Sequence, residues 1–191
     1  VTPVRLTIVT IPPAPVCGRL TGIRSRAAAM SGSRAALLHP PHVTLRTGAL
    51  VPERQIKDFE RELRAAAGPW RPFPLHARGL FRTTYTSGEG AERHMVAWRI
   101  LPDPPLLDLH GKLLACSRFQ RRPQPPFDPH LTLAYEDLTG EAADTLLAYA
   151  QDHPDEFPPE LSWPCTNVTL CRRAGERWEP CVILHTIEEQ L

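Results

Sequence analysis

Two short stretches of this chain repeat each other: "PHVTL" at residues 41–45 and "PHLTL" at residues 129–133. Each sets a proline before a histidine, then an apolar residue, a threonine and a leucine. Alternating polar and apolar residues with β-branched members predict a strand, and a leading proline sits at a strand's start. The elements around the two stretches repeat as well. The pattern predicts a strand over 4–11, a helix over 17–38 weakened by Gly22 and Gly32, the first histidine strand over 42–46, a helix over 51–68 and a strand over 73–85. A strand over 93–101, a helix over 104–119, the second histidine strand over 130–135 and a helix over 138–153 follow, with closing strands over 165–173 and 178–187. One plan used twice constrains the fold to α+β: bilobal, pseudo-two-fold duplicated β/α lobes with antiparallel sheets lining a central cleft. Residues 1–191 are then expected to form a single bilobal domain in which each lobe supplies one His-x-Thr strand.

The balance of the chain limits its partners. A formal net charge of +1 gives no whole-protein attraction to a polyanion, so any phosphate must be held locally. Hydrophobic residues make up 42% and charged residues 23%, a globular composition. The 5 cysteines show no CxxC spacing, which predicts reduced thiols and a cytoplasmic protein. No apolar run of about 18 residues suggests a membrane span, and no charged region followed by an apolar one suggests a signal peptide. The chain begins with Val1, which leaves processing, trimming and a non-AUG start all open. A monomer with no obligatory protein partner is expected.

In a strand, alternate side chains share a face. His42, Thr44 and Arg46 would point one way, as would His130, Thr132 and Ala134, with Tyr135 on the opposite face. Facing lobes would bring two imidazoles and two hydroxyls together. One neutral imidazole can accept a proton from an attacking water while the other, protonated, gives one to a leaving oxygen. Threonine hydroxyls can donate to an anionic oxygen as charge grows on it. A phosphodiester reaction needs those parts and no metal or cofactor.

Other residues have weaker claims. Arg118, Arg121 and Arg122 lie in the proline-rich loop leading to His130, and Arg122 is a candidate phosphate contact. Phe127 and Trp98 could stack on a base. His39 and His42 lie three apart, but Pro40 and Pro41 forbid the helix that would make them a metal pair, and no other ligand stands nearby. The stretch "RAAAMSGSRAAL" reads as a surface helix covering a lobe.

The segments "HPPHVTL" and "PPFDPHLTLAY" resemble the two signatures of the 2H phosphoesterase superfamily. The opening strand "VRLTIVTIPP", the segment "FPLHARGLF" and the proline-rich approach to the second motif are similar to its RNA 2′,3′-cyclic phosphodiesterase branch, also called 2′-5′ RNA ligase family proteins. The resemblance implies metal-independent hydrolysis of a nucleotide or RNA terminus carrying a cyclic phosphate, opened to a 2′-phosphate. By motif, His42 would donate the proton, His130 would activate water, and Thr44 and Thr132 would bind phosphate oxygens, although the residues themselves leave donor and base exchangeable. The branch often has arginine where Tyr135 stands and a small or apolar residue where Arg46 stands. The positive charge would then have moved to Arg46, and Tyr135 would border a base. A binding module without turnover, 2′-5′ RNA end joining and 3′-end trimming by the same site stay open.

Overall fold

Local chemistry fixes the element ends. The computed structural model describes residues 3–86, 90–116, 126–175 and 177–186. Strand β1 (Pro3–Thr10) leads into helix α1 (Ala14–Ser31), which stops at Gly32 because its left-handed φ of 75° suits glycine and its N–H caps Ala28 O. The expected helix to residue 38 is therefore cut short, and a separate turn at Ala35–Leu38 follows. Strand β2 (Val43–Pro52) runs further than expected, and helix α2 (Ile56–Ala67) buries Phe59, Leu63 and Ala67 on one stripe. Strands β3 (Phe73–Thr86) and β4 (Glu92–Ile100) form a hairpin. Helix α3 (Pro104–Leu114) opens on two prolines, and strand β5 (His130–Tyr135) carries the second motif. Helix α4 (Gly140–Asp152) is capped by Thr139, whose hydroxyl accepts from Ala142 N at 3.2 Å. Strands β6 (Glu160–Cys165), β7 (Asn167–Ala174) and β8 (Arg177–Thr186) close the described chain.

The eight strands make one antiparallel sheet in the order β6-β3-β4-β5-β2-β1-β7-β8. The two histidine strands are its central pair. The order is symmetric about them: β4 and β1 flank the pair, β3 and β7 come next, and β6 and β8 are the edges. The duplication is not collinear, however. Strand β3, expected to close the first copy, pairs with β4 in the second half. Strand β6 was not expected at all; its Pro164 lacks a ladder donor, and the edge of the sheet is where a strand tolerates that.

The helices that precede the histidine strands change sides. Helix α1, between β1 and β2, packs on β5 and α4; helix α3, between β4 and β5, packs on β2 and α2. A single buried cluster results, including Leu20 and Ile23 of α1, Leu106 and Leu113 of α3, and Val43, Leu45, Leu131 and Leu133 of the central strands. Among the described residues, no helix is long and apolar enough to cross a membrane.

Candidate active site at the central strand pair

The sheet's two halves meet at the pair Val43↔Leu131. Carried one step each way, this antiparallel register sets His42 opposite Thr132 and Thr44 opposite His130. Val43 and Leu131 are fully buried, and the four motif side chains are half-buried on the other face. Directly opposed residues have Cβ atoms about 4.5–5.5 Å apart. The fold thus brings His42, Thr44, His130 and Thr132 into one cluster.

The proline before each histidine has a structural purpose. His42 Nδ1 donates to Pro40 O at 2.8 Å, and His130 Nδ1 donates to Asp128 O at 2.8 Å. A carbonyl only accepts, so each neutral ring carries its proton on Nδ1 and leaves Nε2 as the free base. Pro41 and Pro129 hold the residues before them in extended backbone, which aims those carbonyls. The two rings are locked in the same way, as pseudo-symmetry requires. Among the described residues the Thr132 hydroxyl donates only to Met95 Sδ, at 3.7 Å, a weak acceptor that a phosphate oxygen can replace. The Thr44 hydroxyl has no hydrogen bond among the described residues.

The residues just past the motifs depart from the expected faces. Thr44 pairs with Val9 and Arg46 with Ile8, which leaves Leu45 as an extra residue; Thr132 pairs with Ala97 and Ala134 with Val96, which leaves Leu133 extra. Each histidine strand therefore carries a bulge at the same place, and a bulge resets the alternation. Leu45 and Arg46 are both buried, as are Leu133 and Ala134. Arg46 accordingly turns away from His42 and Thr44. Its Nη1 donates to Leu113 O at 3.0 Å and Cys116 O at 2.9 Å, at the negative end of α3. Tyr135, by the same reset, returns to the face of His130 and Thr132. Its Oη lies 2.6 Å from His39 Nε2.

The remaining sequence candidates divide. Phe127 stacks on His110 with ring centroids 3.8 Å apart, so one of its faces is already covered. His110 also donates from Nδ1 to Leu45 O at 2.7 Å, the carbonyl of the bulge. Trp98 is fully buried with its indole N–H on Pro158 O, so it offers no ring to a base. Arg118, Arg121 and Arg122 lie outside the described residues.

Sequence reasoning set His39 aside as a metal ligand, yet it belongs to this cluster. The Trp178 backbone N–H donates to His39 Nδ1 at 2.9 Å, so Nε2 must carry the proton and donate to Tyr135. Burial, helped by the charges of His42, Arg24 and Arg173, pulls His39 down to about 4. His42 is also pulled down to about 4, by burial first and by Arg24 and His130 after it, against the Pro40 carbonyl bond. Burial likewise raises the Tyr135 phenol. Among cations, exposed Arg99 pairs with His130 across β4–β5 and lies 3.4 Å from Asp128. Among the described residues, no group of three or more His, Cys, Asp or Glu side chains converges as a metal site would.

Comparison with known proteins finds relatives in sequence and in fold. Residues 12–177 match the family model described as the 2′-5′ RNA ligase superfamily. A Bacillus cytotoxicus protein that carries the name "Putative phosphoesterase" is 31% identical over 111 residues, which is 57% of this chain and 59% of that protein. A Bacillus licheniformis protein of the same description is 29% identical over 57% of this chain and 60% of its own. The chain thus matches about three-fifths of the length of these relatives. Escherichia coli LigT in complex with 3′-AMP has the same fold, with a TM-score of 0.61 and 18% identity over 97% of this chain and 99% of LigT. So does TT0787 of Thermus thermophilus, with a TM-score of 0.60 and 20% identity over 97% and 100%.

Proposed function

The chain belongs to the 2′-5′ RNA ligase superfamily, and from that premise we propose that it is a metal-independent phosphodiesterase that opens 2′,3′-cyclic phosphates of nucleotides or RNA ends to 2′-phosphates. One observation carries the reading: two imidazoles on one face of the sheet, each locked with its proton on Nδ1 and its Nε2 free. The relatives named as phosphoesterases support phosphate-ester chemistry, and the nucleotide bound to LigT, a protein of the same fold, suggests the class of ligand.

The reaction follows from the parts. A cyclic phosphate lies between the rings with its non-bridging oxygens on the Thr44 and Thr132 hydroxyls. His130 Nε2 takes a proton from water as the water oxygen bonds to phosphorus. The bond from phosphorus to the 3′-oxygen breaks, and protonated His42 gives its Nε2 proton to that oxygen. The products are a 3′-hydroxyl and a 2′-phosphomonoester. Neither metal nor redox partner enters the balance. Tyr135, on the same face, borders the nucleoside, and Arg99 adds positive charge beside His130.

The donor role makes a demand on His42. In the free protein it sits at about 4, below its ordinary value, and so is neutral near pH 7. The bound phosphate anion must therefore recharge it. A group whose pKa rises on binding takes up a proton, so affinity falls as pH rises above about 4, by up to about tenfold per unit, until the bound-state pKa is passed. The cyclic phosphodiester does not itself titrate in this range. Calorimetry of 2′,3′-cyclic AMP binding to the His130→Ala variant, in two buffers of different ionisation enthalpy, should record proton uptake at pH 6–7. Binding without uptake would pass the donor role to His130.

The activity is tested with a panel of 2′,3′-cyclic mononucleotides and cyclic-phosphate oligonucleotides in the presence of chelator, with the product assigned by phosphorus NMR. A 2′-phosphate is expected and chelator should change nothing. If no member of the panel is hydrolysed, the proposal fails.

A further inference from the structure

A cavity of about 290 Å³ lies behind the loop that leads into His42. Cys17, Thr21 and Arg24 form one wall, spaced four and three residues apart on a single face of α1. Leu37, His39 and Pro40 line the other wall. Pro40 is also the residue whose carbonyl accepts from His42 Nδ1, while His42, Thr44, His130 and Thr132 are not among the residues that line the cavity.

Arg24 is the unusual member. It is 4% exposed, and no carboxylate pairs with it among the described residues. Its only hydrogen bond there runs from Nη1 to the His39 carbonyl at 3.0 Å, and its Nε is buried with no partner. Burial lowers the guanidinium to about 10, which still leaves it charged at neutral pH. A buried charge without a counter-charge is strongly unfavourable, and a guanidinium with unmet donors is a ready partner for a planar or tetrahedral anion. The other walls are largely apolar side chains.

We propose that this cavity is a second anion site, separate from the imidazole pair, which takes a phosphate or carboxylate group carried on a small apolar body. The anion meets the Arg24 guanidinium, and its body lies against Leu37, Pro40 and Cys17. Arg24 is also one of the charges that act on His42, so an occupant of the cavity reaches the imidazole pair by charge alone.

The probe is phenylphosphonate, titrated calorimetrically, and the measurement is the number bound per chain. Thr21 is exposed at the cavity wall, so Thr21→Trp fills the space while leaving Arg24 and the core untouched. Thr21→Trp and Arg24→Met should each bind one equivalent fewer than wild type, with folding checked by circular dichroism. The proposal is overturned if Thr21→Trp binds as many equivalents as wild type. Because the readout is binding stoichiometry, the result stands whether or not the chain hydrolyses cyclic phosphates.

Discussion

His130→Ala is expected to lower kcat for a 2′,3′-cyclic nucleotide by about 10²–10⁴-fold, and His42→Ala to do the same. In the proposed mechanism both rings act on one phosphate in one step, so the double variant is expected to lose little more than either single one. The effect should be kinetic rather than structural. Each ring stands on the half-buried face of the central strands, and the core neighbours Val43 and Leu131 point the other way. Each variant therefore keeps its sheet, and the melting temperature should move little. Thr44→Val and Thr132→Val remove single donors to the phosphate and should cost about 10²-fold or more in kcat, with the protein still folded. Full turnover by either histidine variant would refute the paired mechanism.

Arg46→Met unfolds the protein more easily and spares the chemistry. Arg46 is 2% exposed and its guanidinium bridges the Leu113 and Cys116 carbonyls, so its loss takes a charged donor from both and leaves Leu113 O with the Cys116 N–H at 3.4 Å. Hydrogen bonds to a charged group are worth about 1.5–3 kcal/mol each, and the two share one guanidinium, so a loss of about 3 kcal/mol is expected. For a chain of this length that lowers Tm by about 6–12 °C. The kcat/KM of the folded fraction should change little. A tenfold fall in kcat/KM with Tm unchanged would mean that Arg46 serves the substrate after all.

The Arg46 case shows where the sequence could be read and where it could not. The two His-x-Thr strands, the antiparallel α+β plan and the meeting of the four motif residues were legible because they rest on periodicity and on a repeated pattern. The faces of Arg46 and Tyr135 were not, because strict alternation assigns both, and the bulges at Leu45 and Leu133 reverse both. Nothing in "TLR" or "TLA" marks an extra residue in a strand. Strand β6 was hidden by Pro164, which its edge position tolerates, and sequence does not announce edges. His39 was judged against metal chemistry and dismissed, but its partners, Trp178 N–H and Tyr135, lie 139 and 96 residues away. The proline before each histidine was visible from the start. Its purpose, aiming a carbonyl at Nδ1, needed the ring geometry.

The exchange of α1 and α3 has a consequence for how the protein comes apart. Each histidine strand is roofed by a helix that departs from the other half of the sheet: α1 over β5, and α3 over β2. If α1 peels away, it strips cover from the His130 strand while tugging on the loop that orients His42. If α3 peels away, the reverse happens. A half that frays thus uncovers its counterpart, so the two imidazoles are expected to be lost together, in a single cooperative step.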